Sequence, residues 1–269
     1  METITDFDIV IAVGGMAGGT LAWALSRQLP HLKLAVIEQQ AADVPSASFD
    51  SRSIALAAGS VAFLQQWGLW QGLKASACPI TDIQVSDRGH FGKTYLNAAA
   101  YQLPALGHVL EVEHLGQLLQ QRLSETNVRH FQPDKIESLS QQQNFCRLQL
   151  SGGQEISSRL LVVAEGGLSP TRQMAGFSIS EQPYNQTAVI ANLGLDTSHH
   201  NKAFERFTAD GPIALLPLSQ QRYSLVWTCR PQQAAELIQL PEQEFIAAAQ
   251  QAFGYRAGIF TRAGKRASY

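Results

Sequence analysis

Charge is scarce in this 269-residue chain: Asp, Glu, Lys and Arg make up 16 % of it, against about 25 % in an average soluble protein. Neither sign prevails, with 20 Lys and Arg against 22 Asp and Glu and a net charge of −2. That balance argues against a broad basic surface, so no nucleic-acid partner is expected. Cysteine is rarer still. Cys78, Cys146 and Cys229 form no CxxC, lie far apart and cannot all pair within the chain. They read as incidental thiols of a reducing compartment. No HExxH or similar spacing occurs among the seven His, so no metal is assigned. No apolar run approaches the roughly 18–20 residues of a spanning helix. The opening residues, Met1 to Asp8, carry no basic segment followed by an apolar one, so no secretory signal is expected. These absences together point to a soluble, cytoplasmic protein.

What is present is a globular composition. Hydrophobic residues are 45 % of the chain, and its length suffices for one large domain or two smaller ones with a sizeable core. Phe7 to Val13 (FDIVIAV) is a short, almost wholly apolar run suited to a strand covered on both faces. A glycine-rich turn follows at Gly14–Gly19, then a helix over Thr20–Leu29 stopped by Pro30, then a second buried strand over Leu32–Ile37 ending at Glu38. This order is a βαβ unit with a parallel crossover. The Ala- and Leu-rich stretch 53–70 and the stretch Glu113–Ser124 are expected to be helical. Short strands are expected over 128–132, 136–139, 145–150 and 160–164, the last ending in Glu165-Gly166-Gly167. After Pro183 four closely spaced strand patterns, 187–195, 203–208, 212–218 and 223–229, favour an antiparallel sheet. A surface helix over 241–253 follows, and after the basic stretch 262–266 no closing element is evident.

Three constellations can carry chemistry. In the turn, Val13-Gly14-Gly15-Met16-Ala17-Gly18 matches a dinucleotide G-x-G-x-x-G at its second and third glycines, with Val13 in place of the first. Such a turn brings backbone close to a pyrophosphate at a helix N-terminus, where free N–H groups and the dipole favour an anion. Glu38 lies 20 residues beyond Gly18 at the end of the next strand, where a carboxylate can accept hydrogen bonds from an adenosine ribose. A βαβ unit without a ligand fits the same residues, and the Cβ of Val13 would crowd the turn. Asp50-Ser51-Arg52 could neutralise a diphosphate or be a capping Asp beside a surface Arg. Glu165-Gly166 stands just beyond a buried strand, at the edge where ligands bind in open α/β sheets, and equally reads as a plain loop before a helix.

The order of these pieces carries a resemblance. Gly14–Gly18, Phe49-Asp50-Ser51-Arg52-Ser53-Ile54-Ala55-Leu56-Ala57-Ala58-Gly59, Val85-Ser86-Asp87-Arg88-Gly89-His90, Ala188–Asn192, Ala203–Thr208, Leu225–Trp227 and Ala263–Arg266 resemble the class A flavoprotein aromatic hydroxylases, within them the ubiquinone-biosynthesis branch. The resemblance implies an α/β fold, a Rossmann-like FAD-binding domain interleaved with an antiparallel substrate sheet. The implied boundaries are 1–75 and 111–182 for FAD binding, 76–110 as an insertion of the substrate domain, and 183–269 as its main sheet. It implies FAD, NAD(P)H as reductant and O2 as co-substrate, with a flavin C4a-hydroperoxide hydroxylating a polyprenylated phenol. By position, Gly14, Gly15, Ala17 and Gly18 would meet the pyrophosphate, Glu38 the ribose and Arg52 the flavin side. Glu165-Gly166 would take the place of an Asp-Gly motif serving FAD and the pyridine nucleotide. Leu216 and Pro217 would line the ring pocket.

Val13 and Glu165 depart from that pattern, the latter by a methylene that displaces its carboxylate. Family members continue past this point with a Gly-Asp flavin-ribityl segment, so the chain reads as an N-terminal portion with poor flavin affinity and exposed apolar sheet surface. A non-catalytic flavoprotein-like scaffold in a quinone-biosynthesis complex therefore stays open as the alternative. The polyprenyl substrate implies peripheral contact with the inner membrane, although no amphipathic anchor is evident.

Overall fold

The structure, a computed structural model, describes residues 5–41 and 52–269. From the N-terminus come β1 (Phe7–Ala12), α1 (Met16–Gln28), β2 (Leu34–Ile37), β3 (Ser53–Ala57), α2 (Ala58–Gln66), α3 (Trp70–Leu73), β4 (Cys78–Ile80), β5 (Asp82–Asp87), β6 (Lys93–Asn97) and β7 (Gly107–Glu111). Next are α4 (Val112–Ser124), β8 (Arg129–Phe131), β9 (Ile136–Gln141), β10 (Cys146–Leu150), β11 (Glu155–Val163) and α5 (Pro170–Met174). The chain continues with β12 (Thr187–Leu195), β13 (Lys202–Phe207), β14 (Ile213–Leu218), β15 (Arg222–Cys229), α6 (Pro231–Gln239), α7 (Glu242–Phe253), β16 (Phe260–Ala263) and β17 (Ala267–Ser268). They form two compact units, Met1–Pro45 with Leu115–Glu181, and Ser46–His114 with Gln182–Tyr269.

The first unit is built on a six-stranded sheet in the order β8-β2-β1-β11-β10-β9. β1 runs parallel to β2 and to β11, β2 runs parallel to β8, and β10 is antiparallel to β9 and β11. The near-continuous apolar runs of β1 and β2 follow from burial on both faces: Val10, Ile11 and Ala35 are wholly inaccessible. Val10, Ala35, Ile37, Phe131, Leu148, Leu150 and Ile156 make one core. α4 turns Leu115, Leu119 and Leu123 inward at a four-residue spacing. Gly19 of α1 faces Leu119, whose Cδ1 would lie 3.4 Å from an added Cβ.

The second unit holds a larger sheet in the order β16-β12-β15-β14-β13-β5-β6, with β17 also beside β12. It is antiparallel throughout except where β13 meets β5. On one face Leu193, Leu215, Leu225 and Trp227 pack with Leu237 of α6 and with Phe245, Ala249 and Phe253 of α7. Leu216 and Leu218 of β14 join Ile80 and Val109 in a separate small cluster. β3, β7 and β4 form a three-stranded antiparallel sheet.

The α/β class with an interleaved antiparallel sheet is as expected, and several local readings are corrected. α1 starts at Met16 rather than Thr20, because Gly18 and Gly19 are wound into its first turns. The expected helix over 53–70 begins as a strand: β3 pairs along its whole length with β7, from Ser53↔Glu111 to Ala57↔Gly107. That pairing also places residues 52–75 with the second unit, where the sequence reading grouped them with the first. α7 lies at the surface as expected, with Glu242, Gln243, Glu244, Ala247 and Gln251 exposed and its other face, Phe245, Ile246, Ala249, Gln250 and Phe253, buried. The segment after Arg262 does close onto the sheet, through β16 and β17. All three cysteines are free and buried, and burial pushes the Cys78 thiol up to about 11.

Candidate functional site

The carboxyl ends of β1, β2 and β11 border a cleft of about 510 Å³ in the first unit, with Val13, Ile37, Gln39, Asp134, Lys135, Glu165 and Met174 in its lining. This is the edge of an open α/β sheet at which ligands are held. Asp134 is a fixed negative charge of the cleft. Burial pushes its carboxyl up, but the Ser151 hydroxyl (2.6 Å) and the N–H groups of Lys135 (2.9 Å) and Gly152 (3.1 Å) outweigh this and hold it below the ordinary carboxylate range.

The glycine turn between β1 and α1 abuts this cleft through Val13. Its glycines have different causes. A Cβ on Gly18 would sit 1.9 Å from the Val13 carbonyl oxygen, one on Gly19 2.7 Å from the Gly14 oxygen, and one on Gly14 2.9 Å from Val36 Cγ1. Those three are glycine because helix and strand approach too closely for anything else. Gly15 is different. A Cβ there would meet only Val13 Cγ1, at an ordinary 3.6 Å, and its φ of −59° lies outside the left-handed region. No atom of the described residues would collide with a Cβ at this exposed position.

Gly15 is also the N-cap of α1, without a side-chain cap, and no acidic residue lies in the first turn. The N–H groups at the head of the helix therefore keep their capacity to bind an anion. Ala17 is exposed on that first turn. Glu38 is locked beside it. Its Oε2 accepts from Gly14 N–H at 3.0 Å and its Oε1 from Gln40 N–H at 2.8 Å. Each oxygen retains room for a further donor. Val13, standing where the fingerprint has glycine, adopts φ +76°. A branched side chain in the left-handed region is a genuine outlier.

Glu165 is turned onto its own loop. Its Oε2 accepts from Ser169 Oγ (2.5 Å) and Thr171 N–H (3.0 Å), and its Oε1 accepts from Thr171 Oγ1 (2.6 Å). Ser169 in turn caps α5 by accepting from Arg172 N–H. Gly166, at φ +79°, needs its glycine. Arg52 lies in the second unit, exposed, donating to Tyr269 Oη at 3.3 Å; Asp50 and Ser51 fall outside the described residues. Of the ring-pocket pair, Leu216 is half-buried in its small cluster and Pro217 is buried in β14. The sequence reading missed one buried polar feature. Arg222 Nη1 meets Glu111 Oε1 at 3.1 Å with both side chains buried, and His114 Nε2 approaches the other carboxylate oxygen at 3.5 Å. Glu111 and Arg222 are 111 positions apart, so no local signal joins them.

The family of sequences described as FAD binding domain matches residues 6–261. The chain belongs to that family. It is 33 % identical over 264 residues to the ubiquinone hydroxylase UbiL of Rhodospirillum rubrum, covering 97 % of this chain and 61 % of that protein. It is 30 % identical over 258 residues to 3-demethoxyubiquinol 3-hydroxylase of Escherichia coli, covering 94 % of this chain and 65 % of that one. The chain thus spans under two thirds of the length of these relatives. Among solved structures, pqsL from Pseudomonas aeruginosa, a probable FAD-dependent monooxygenase, superposes with a TM-score of 0.77 at 18 % identity, covering 96 % of this chain and 72 % of the other. That likeness is one of fold. No helix among the described residues is long and apolar enough to cross a membrane.

Proposed function

We propose that this chain carries the cofactor-holding and ring-holding parts of an FAD-dependent monooxygenase that hydroxylates a polyprenylated phenol of ubiquinone biosynthesis, with NAD(P)H and O2. Bound FAD supplies the redox chemistry, by which one oxygen atom of O2 enters the ring and the other leaves as water. The protein's part is to bind and orient. The N–H groups at Gly15, Met16 and Ala17 take the diphosphate, with Gly14 and Gly18 allowing the backbone to come near. Glu38, aimed by Gly14 and Gln40, accepts from the ribose hydroxyls. Glu165 acts as a brace. Its bonds to Ser169 and Thr171 hold the loop in which Gly166 offers bare backbone to the cofactor or the pyridine nucleotide. Arg52 presents a cation to the flavin side. Leu216 and Pro217 give the ring an apolar, water-excluding wall.

Gly15 is the observation that carries this reading, because a glycine whose Cβ would collide with no described atom is explained by a ligand that requires its bareness. The relatives named as ubiquinone hydroxylases supply the substrate class. A prenylated substrate also brings peripheral membrane contact and association with other quinone-biosynthesis proteins into the proposal. A second reading, a non-catalytic flavoprotein-like scaffold, is favoured by the strained Val13 at the turn. The two part on a direct experiment: the purified chain, supplied with FAD, NAD(P)H and a prenylated phenol under isotope-labelled dioxygen. Incorporation of one labelled oxygen into the phenol supports the oxygenase. A folded protein that takes up flavin and leaves the phenol unchanged supports the scaffold.

A further inference from the structure

At one corner of the second unit's sheet, three separate segments end together. The turn between β5 and β6 places Arg88, His90 and Phe91 at its tip, with Lys93 opening β6. β13 runs parallel to β5 and finishes at Phe207, whose carbonyl accepts from Arg88 N–H at 3.0 Å. The C-terminus of α7 is tied in by Arg206, whose Nη1 donates to Phe253 O at 2.7 Å and lies 3.4 Å from where a Gly254 Cβ would be. Tyr255 and Arg256 follow at once. Burial, with Arg256 and Arg88 close by, lowers the pKa of Arg206, which puts the three guanidinium groups in one neighbourhood.

This corner exposes aromatic surface that the fold does not use. Phe91 is fully exposed at 109 %, Tyr255 at 74 % and Phe207 at 49 %. A bare Phe at a hairpin tip costs hydration and gains no packing. The same corner carries the cations Arg88, Lys93, Arg206 and Arg256, with Arg230 paired to Asp210 beside it. Three carboxylates face them: Asp87, engaged with His90 at 2.8 Å, Asp210, engaged with Arg230 at 2.7 Å, and Glu236, which shares a cleft with Arg88 and Asp210. The excess of positive charge is local, since the whole chain carries −2. Aromatic rings flanked by basic side chains are the chemistry of an interface with anionic lipid: rings enter the headgroup boundary while guanidinium and ammonium groups meet phosphates.

We propose that this corner is a membrane-docking surface, with Phe91 inserting into the headgroup boundary of an anionic bilayer and Arg88, Lys93 and Arg256 seated over its phosphates. The proposal deepens the membrane contact in the function proposed above and rests on that reading for its choice of partner; vesicle binding and oxygen incorporation are separate readouts, so either can fail alone. The test is sedimentation of the chain with phosphatidylcholine vesicles, with and without phosphatidylglycerol. The expected result is binding that requires phosphatidylglycerol and is released by salt. Phe91→Ser should weaken it about 10-fold, Arg88→Ala and Arg256→Ala about 5-fold each, and Phe91→Trp should retain it. Phe91 touches no core, so thermal melting of the Phe91 variants should match the parent. No binding to either vesicle, or equal binding by Phe91→Ser and the parent, overturns the proposal. So does self-association that disappears in Phe91→Ser without vesicle binding, which would assign the surface to a protein contact instead.

Discussion

Val13 and Gly18 occupy one turn and carry opposite consequences. Val13 holds φ +76°, a conformation that costs a non-glycine residue about 1–2 kcal/mol. Val13→Gly should therefore raise the melting temperature by a few degrees, at roughly 2–4 °C per kcal/mol for a chain of this size; a fall would show that Val13 packing outweighs the strain. Gly18→Ala should destabilise by about 3 kcal/mol or more, because its methyl would strike the Val13 carbonyl at 1.9 Å and a backbone atom cannot step aside. Chemical denaturation of both variants measures the pair. The spacing of Val13, Gly15, Gly18 and Glu38 was legible in the sequence because a βαβ turn is local. What spacing does not reveal is at which glycine a Cβ would collide and at which it would not. The three-fold engagement of Glu165 was equally hidden, since its partners Ser169 and Thr171 read as an ordinary helix start.

At the scale of elements, strongly apolar strands were readable even where their partners are distant, as β11 is from β1, and Ala-rich or very short strands were not. β12 and β14 both pair with β15, and the apolar patterns of the three sufficed. β3 has a sequence rich in Ala and Leu that favours helix, and only its ladder to β7, more than 50 residues on, makes it extended. β16 and β17 depend in the same way on β12. The Glu111–Arg222 pair joins the end of β7 to the start of β15 inside the second unit. Removing one member of a buried pair leaves the other charge uncompensated, at a cost of about 3–5 kcal/mol. Glu111→Leu should lose stability on that scale, and replacing both residues, Glu111→Leu with Arg222→Met, should recover most of it. Urea denaturation of the single and double variants checks this, and additive losses would contradict it.

For the whole molecule, acid is the revealing stress. Burial lowers the pKa of His108 and His199, aided at His108 by Lys74; at His199 the carbonyl of Leu218 opposes burial without reversing it. Each imidazole therefore titrates below its ordinary value of 6.5 when folded. Between that lowered value and 6.5 the unfolded chain binds more protons, so the stability present above pH 6.5 is lost as the pH falls through the window. Melting temperature should drop between about pH 7 and pH 5, and a flat profile would contradict these burials. Asp6, Asp82 and Asp134, all held low by hydrogen bonds, add their loss only in stronger acid. The claim on which the functional reading turns is that the bare head of α1 receives a dinucleotide. Gly15→Asp tests it most directly, because an Asp fits there, caps the helix and fills the anion cradle with negative charge. Calorimetric titration with FAD should give saturable uptake by the parent chain and at least 10-fold weaker uptake by Gly15→Asp, with melting unchanged or raised. Equal affinity in the two proteins, or no saturable uptake by the parent, would contradict the account.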